Sequence, residues 1–454
     1  MKNNYDLVII GGTKHAFFSA EYATKWGARV GLIIDDDYYS NQHDESNNLW
    51  SIEYKNDLLI LDNDINYHEF LREKKKVIED QYLSQLELLG IDIIFSKCQF
   101  VQNKSLTLLT NRDSLKSFSY LLAMTSEQLF SKNKKLNKND GYLTVNELLF
   151  QKKWDDLPEE LTIFGDDITA IYLINKLYQR KKKISLVSPS QQILPSEDED
   201  ISYQLQLFLE SKGIKIYLNS KSNAFGIDRR KENDNMKTLR VTTKNLWGEE
   251  TLELTKLGIK NNEGKIEVNS KLQTRHQQIY ACGDLLGGYY LDSLIKYEAK
   301  IAVNNGLFFP YQKIKYNEIP YTLNTNPSIH RLGYTEKQAR FLLSERIKVL
   351  KVFCLLKTLT NWDQDVTFIK IILDKNNYIL GFHSFGFGVE EVITAITFIK
   401  KKNLSLSYLF KISFSNNNSY KLIEEIDKCW KKENQRQHQI ILDLAETFFI
   451  WKRS

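Results

Sequence analysis

The apolar run Leu7–Ile10 lies in a predicted strand, Tyr5–Ile10, that stops at Gly11-Gly12. A helix is predicted at about residues 14–26, ended by Gly27, and Arg29–Ile34 is the next strand, running into Asp35-Asp36-Asp37. Strand, turn, helix and strand within about 30 residues make a β-α-β unit, the shape of a nucleotide-binding half. Residues 67–89 read as a long helical stretch, and 90–101 and 117–124 as strands. The pattern then recurs: strand Leu161–Phe164, Gly165, a helix to about Arg180, and strand Lys183–Val187. Two such units imply two doubly wound domains.

Another apolar strand, Ile279–Cys282, ends at Gly283-Asp284, and a helix of about 16 residues carries the chain to Gly306. Residues 347–385 read as β-hairpin material, alternating apolar and polar positions on either side of the DKNN turn at 374–377. Helices follow to the end, so the third domain is α+β.

Charge and cysteine content narrow the function classes. A net charge of +5 over 454 residues, with no basic stripe interleaved with aromatics, argues against a nucleic-acid partner. The runs at 74–76 and 181–183 read as solvated helix ends or faces. The four cysteines, Cys98, Cys282, Cys354 and Cys429, form no CxxC or metal cluster, and the seven histidines form no metal-binding pair. A reduced, cytoplasmic setting and no metal site are the expectations. The first apolar run is too short for a signal peptide, and no run approaches the roughly 20 residues of a membrane span.

The first fingerprint is GGTKHA, residues 11–16. A dinucleotide site uses G-x-G-x-x-G/A: a tight turn, a close approach to pyrophosphate, and helix-on-strand packing. Gly11 and Ala16 fit, whereas Thr13 adds a Cβ at the middle glycine. The helix N-terminus still favours an anion, and the Thr13 hydroxyl is a further potential donor. Asp35 is the nearest acidic residue for a ribose.

The second fingerprint, GDDITA at 165–170, carries Asp167 at the middle position beside Asp166. At about 5 Å and an effective dielectric of about 20, each carboxylate–phosphate pair costs roughly 3 kcal/mol. That exceeds the helix dipole's contribution, at most about 2 kcal/mol. Asp167 is therefore expected to be a helix N-cap, with NAD(P) not held in the usual way.

IYACGD (279–284), preceded by LQT (272–274), resembles the flavin-binding strand of the pyridine nucleotide-disulfide oxidoreductases, the family of dihydrolipoamide dehydrogenase, mercuric reductase and glutathione reductase. ILPSEDEDIS (193–202), LGIDIIFSKCQFV (89–101), NTNPSIHRLGYTEKQAR (324–340) and FIKIILDKNNYILGFHSFG (368–386) resemble further family segments in the same order. The resemblance implies an α/β protein with two doubly wound Rossmann-like dinucleotide-binding domains plus a C-terminal α+β dimerisation domain. The FAD domain would span 1–155 and 259–322, the NAD(P)-like domain 156–258, and the interface domain 323–454. FAD would be held by Gly11, Gly12, Thr13, Asp35, Gly283 and Asp284, with the Asp284 carboxylate on the ribityl chain. Cys282 stands at a small-residue position and reads as filler. A homodimer is implied.

The departures concern the chemistry. The family's CxxxxC redox pair should fall near SNQHDESNNLW (40–50), which contains no cysteine, although thiol–disulfide exchange requires a thiolate. The family's HPxxxxE acid–base aligns with SNNNSY (415–420), placing Ser415 and Tyr420 at the His and Glu positions; neither is a useful base near neutral pH. The family's ATG turn reads AMT (123–125), its ribose-binding Glu aligns with Ile34, and the selector of the second domain aligns with Ser188. Residues 219–258 are short for that domain's usual hairpin and strand. No catalytic residue is expected. Two functions stay open: a flavoprotein oxidoreductase without disulfide chemistry, and a pseudoenzyme acting as a dimeric scaffold or regulatory binding protein.

In QIILDLAETFFIW, residues Ile440, Ile441, Leu444, Phe448 and Trp451 fall at helical spacing before Lys452-Arg453. This reads as a helix docked on the partner protomer or its own core, or as a monotopic membrane foot, with docking favoured. Flotation with liposomes separates the two: a docked helix leaves the protein at the bottom of the gradient, and co-migration with lipid identifies the foot.

Overall fold

The computed structural model describes residues 4–35, 80–102, 104–132, 142–145, 148, 157–220, 238–242, 247–262, 265–288, 291–344, 346–357, 364–434 and 445–453. The stretch 40–50, Asp36 and Asp37, residues 67–79 of the predicted long helix, and Ile440, Ile441 and Leu444 lie outside them. The chain divides into two compact units. One comprises 1–165, 172–185 and 228–315, the other 166–171, 186–227 and 316–454.

The first unit is built on a five-stranded parallel sheet. Its strands are β1 (Tyr5–Ile10), β2 (Val30–Ile34), β3 (Asp92–Phe95), β4 (Ser117–Leu122) and β5 (Ile279–Ala281), in the spatial order β5-β4-β1-β2-β3. The register sets Ile10 beside Ile33 on one side and Leu122 on the other, and Leu122 beside Ala281. Four strands therefore end near one another, and the chain order reverses direction across β1, the switch point at which doubly wound sheets bind ligands. Leu7 and Ile9 pack on one face and Val8 and Ile10 on the other, all at most 2% exposed. Burial of both faces is why β1 and β2 read as unbroken apolar runs.

Helix α1 (Lys14–Thr24) covers the first face with Ala16, Phe17 and Ala20, and helix α2 (Asp292–Leu307) packs there through Ile301, Ala302 and Val303. An antiparallel hairpin, Cys98–Gln102 with Leu106–Thr110, lies on the other face through Phe100, Leu106 and Leu108. A separate parallel set pairs Glu160–Phe164 with Thr238–Thr242, and the latter with Tyr142–Thr144. The second predicted helix and strand are present as Ile168–Gln179 and Lys183–Val187.

The second unit contains a five-stranded antiparallel sheet in the order Tyr321–Leu323, Ser328–Gly333, Ile379–Gly386, Gln364–Asp374, Ile347–Lys357. Helices Glu390–Lys401 and Asn417–Glu433 bury Val392, Ile396, Leu422 and Ile426 against Leu350, Ile369, Ile371 and Phe382. The DKNN turn forms because the Asp374 carboxylate accepts the N–H groups of Asn376 and Tyr378, both at 2.8 Å, while Asn377 takes φ +65°. Residues 445–453 are helical, and Phe448, Phe449, Ile450 and Trp451 are 51–72% exposed. Packing on its own core does not cover them.

A buried ionic hub ties the SEDED segment (196–200) to this sheet. The Lys370 ammonium, on a side chain 2% exposed, donates to Asp198 at 2.7 Å, Asp200 at 2.6 Å and Glu336 at 2.7 Å. Asp198 also caps the helix Glu199–Ser211 and accepts the Glu336 N–H at 2.9 Å. Burial alone would raise all three carboxyls, but His383 and then hydrogen bonds from Glu336 N–H and Lys370 hold Asp198 below the usual range, hydrogen bonds from Lys351 and Lys370 do so for Asp200, and hydrogen bonds from Lys370 and Arg340 do so for Glu336. Burial would also lower Lys370, yet the same bonds push it to about 12.

Removing one partner of such a buried cluster costs about 3–5 kcal/mol, and Lys370→Met is expected to lose that much in denaturant melts at pH 7. Because the carboxyl values are depressed, their contribution is present above the unfolded value of about 4 and is lost as pH falls through the folded values. The Lys370 contribution is complete at neutral pH and is lost only as pH rises through about 12. The deficit of Lys370→Met relative to wild type should therefore shrink as pH is lowered below about 4.

Candidate functional site

The carboxyl ends of β1, β2, β4 and β5 gather the residues singled out from sequence. The backbone runs on past β1: Gly11 N–H donates to the Ile33 carbonyl at 2.9 Å, and Ala123 N–H donates to the Ile10 carbonyl at 2.9 Å. Gly11 takes φ +136°, and a Cβ there would lie 2.2 Å from the Ala123 carbonyl oxygen. Only glycine allows the β1–α1 turn to approach the AMT segment so closely.

Thr13 is the N-cap of α1, and its hydroxyl accepts the Ala16 N–H at 3.3 Å and donates to the Ala123 carbonyl at 2.6 Å. This corrects the expectation that the hydroxyl would join the anion donors. It is engaged inside the fold, and Thr13 is 4% exposed. The extra Cβ is thus accommodated by turning the side chain towards β4.

A cavity of about 410 Å³ opens at this end of the sheet, lined among others by Gly11, Asp35, Ser96, Lys97, Cys98 and Met124. Ile34, aligned with the family's ribose-binding Glu, is fully buried in the core, whereas Asp35 lines the cavity. Alternation along β2 therefore makes Asp35 the acidic group that reaches this space. Lys97 was not legible from sequence, because a polar residue between two short strands carries no distinctive pattern.

The Gly283-Asp284 turn follows β5 as a short 3-10 segment, Gly283–Leu286. The Asp284 carboxylate accepts the Ser126 N–H at 2.8 Å, joining the turns after β4 and β5. Gly283 takes φ +81°, and its N–H donates to Glu298 Oε2 at 2.7 Å. Glu298 is 5% exposed on α2, within the apolar stripe of Ile295, Ala299 and Ala302. Its oxygen is 3.6 Å from His15 Nε2, and burial pushes the imidazole down to about 3, so it is neutral. A carboxylate at an apolar helical position was the available signal for Glu298.

Cys282 is fully buried, and burial first, then the Glu298 charge, raises its thiol well above the ordinary range. Burial, then Asp35, pushes Cys98 up to about 12. Burial likewise raises Cys354 and Cys429, and all four sulfurs are unpaired with one another. None of the chain's cysteines is a thiolate near neutral pH.

In the second unit, Asp167 accepts the Ala170 N–H at 3.0 Å, the expected helix cap. Asp166 accepts the Ser190 hydroxyl, and its carbonyl accepts the Leu194 N–H at 2.8 Å. Ser188 is fully buried and folds its hydroxyl onto Ser190 N–H at 3.1 Å. Two carboxylates thus stand where a pyrophosphate would need donors, and this fingerprint does not fit a nicotinamide dinucleotide held in the usual way. Ser415 donates to Glu391 at 3.1 Å, and Tyr420 is 63% exposed.

Residues 5–305 match the family model described as pyridine nucleotide-disulphide oxidoreductase, and residues 319–416 match the dimerisation domain of that family. A mercuric reductase of Staphylococcus aureus is 24% identical over 436 residues, covering 89% of this chain and 79% of the relative. A dihydrolipoyl dehydrogenase of Bacillus subtilis is 26% identical over 268 residues, 56% of each chain. Among solved structures, the Cu(II) complex of a cysteine-to-serine mutant of the HOCl-induced flavoprotein disulfide reductase RclA from Escherichia coli superposes with a TM-score of 0.72. It is 20% identical, over 94% of this chain and 99% of that one.

Cys282→Ala removes one buried sulfur at a small-residue site. It should leave any flavin content and any turnover unchanged and cost about 1 kcal/mol in stability; abolition of either property would assign Cys282 a chemical role.

Proposed function

The chain belongs to the pyridine nucleotide-disulphide oxidoreductase family, and within it we propose a flavoprotein that has lost dithiol–disulfide chemistry. The observation that carries this reading is the state of the sulfur. All four cysteines are unpaired, and burial raises the pKa of each. The stretch 40–50 supplies no other thiol. Ser415 and Tyr420 stand where the family carries its His and Glu.

The first site fits the adenosine end of FAD. The cavity beside Gly11 is within the size range of cofactor pockets, and Asp35 on its wall suits ribose hydroxyls. Gly11, Gly12 and Thr13 would line the pyrophosphate through their backbone, and Gly283 and Asp284 would face the ribityl chain. Bound flavin supplies reversible uptake of two electrons. The carboxylates Asp166 and Asp167 disfavour NAD(P)H as donor at the second fingerprint. The domain limits 1–155 with 259–322, 156–258 and 323–454 are part of this proposal, as is a homodimer formed through the dimerisation domain.

A second reading, a dimeric scaffold without flavin, is favoured by Thr13, whose hydroxyl serves the fold instead of facing a phosphate. The visible spectrum of the purified protein decides between them. The flavoprotein reading expects yellow protein that releases FAD on denaturation, is not bleached by NADH or NADPH, and does not turn over lipoamide, glutathione or mercuric ion. Colourless protein that takes up no added FAD and still dimerises supports the scaffold, and turnover of a disulfide substrate overturns both.

A further inference from the structure

The flavin reading rests on Asp284, but the Asp284 turn does not hold itself. Gly283 sits at φ +81°, a conformation that must be fixed by its surroundings. Two buried side chains from different helices meet it there. Glu298 of α2 takes the Gly283 N–H at 2.7 Å, and the Glu298 side chain is 7% exposed. The His15 ring of α1 fills the space on the other side, and a Cβ built on Gly283 would fall 2.8 Å from His15 Nδ1. Glu298 and His15 approach each other at 3.6 Å. His15 belongs to the GGTKHA fingerprint itself, so this trio links the two halves of the proposed flavin cradle, the glycine turn after β1 and the Gly-Asp turn after β5.

We infer that Glu298 and His15 are positioning residues that fix the Gly283-Asp284 turn relative to the fingerprint turn, and thereby aim Asp284. The inference rests on the flavin reading for its consequence, though the geometry stands without it. A buried carboxylate in an apolar helix stripe is costly, and its retention beside a backbone N–H at the functional turn gives the charge a task. With its N–H held by Glu298 and its following carboxylate held by Ser126 N–H, the Gly283–Asp284 peptide is anchored at both ends. His15 sets how closely α1 can approach, because its ring occupies the volume that any side chain at position 283 would need.

Glu298→Ala and Glu298→Gln separate this role from general packing. The glutamine amide oxygen still accepts the Gly283 N–H; alanine cannot. In the purified full-length protein, hydrogen exchange of the 283–286 amides should accelerate about tenfold or more in Glu298→Ala and stay near wild type in Glu298→Gln. Exchange in β1 and β4 should be unchanged in both. The dissociation constant for added FAD should weaken about tenfold in the alanine variant alone. A second measurement covers the case in which Glu298→Ala fails to fold: His15→Ala, which empties the space the ring fills beside Gly283, should by itself accelerate exchange of the 283–286 amides and leave β1 and β4 unchanged. Equal exchange in wild type, Glu298→Ala and Glu298→Gln, equal damage from Glu298→Gln, or wild-type exchange at 283–286 in His15→Ala each overturns the inference. If wild type takes up no FAD while the exchange contrast holds, the flavin reading falls and the positioning role stands.

Discussion

Burial of β1 and β2 on both faces governs where chemistry can occur in the first unit. A strand covered above and below by apolar residues has no position along its length for an exposed polar group. Polar function is therefore confined to the points where strands stop. Gly11, Asp35, Ser126 and Asp284 all lie at such points, and the parallel register brings these ends to one edge of the sheet. The Gly11–Ala123 approach follows from the same packing: with the sheet fixed, the two turns must pass at a distance that excludes a side chain.

The contrast between the two fingerprints has the same physical origin. Each is a strand, a turn and a helix start, and each helix needs its first N–H groups satisfied. In the first, the neutral Thr13 does this while turning inward. In the second, Asp167 does it with a full negative charge, beside Asp166. The same local solution, an N-cap, thus adds no charge in one place and a full negative charge in the other.

The backbone frame was readable in the sequence because it depends on periodicity and turn chemistry. The strands around Tyr5–Ile10, Val30–Ile34 and Ile279–Ala281, the Asp374 turn and the Asp167 cap all follow from residues adjacent in the chain. The inward turn of Thr13 did not, since its partner Ala123 is 110 positions away. Glu298 and Lys370 were likewise hidden. Each appears in sequence as one more charged residue, and only long-range packing brings Glu298 to Gly283 and three carboxylates to Lys370. The lack of cysteine in 40–50 was visible directly, whereas the burial of the four thiols required the tertiary structure.

The Lys370 hub constrains how this chain can change over generations. Its members lie at positions 198, 200, 336 and 370; Asp198 and Lys370 are each 2% exposed, so neutralising either one alone strands a buried charge, whereas Asp200 and Glu336 keep 29% and 23% exposure. Paths that alter Asp198 or Lys370 alone pass through a destabilised intermediate. Descendants should therefore keep Asp198 and Lys370 together or exchange both, so that covariation of these two columns becomes a lineage marker independent of the parallel sheet's edge.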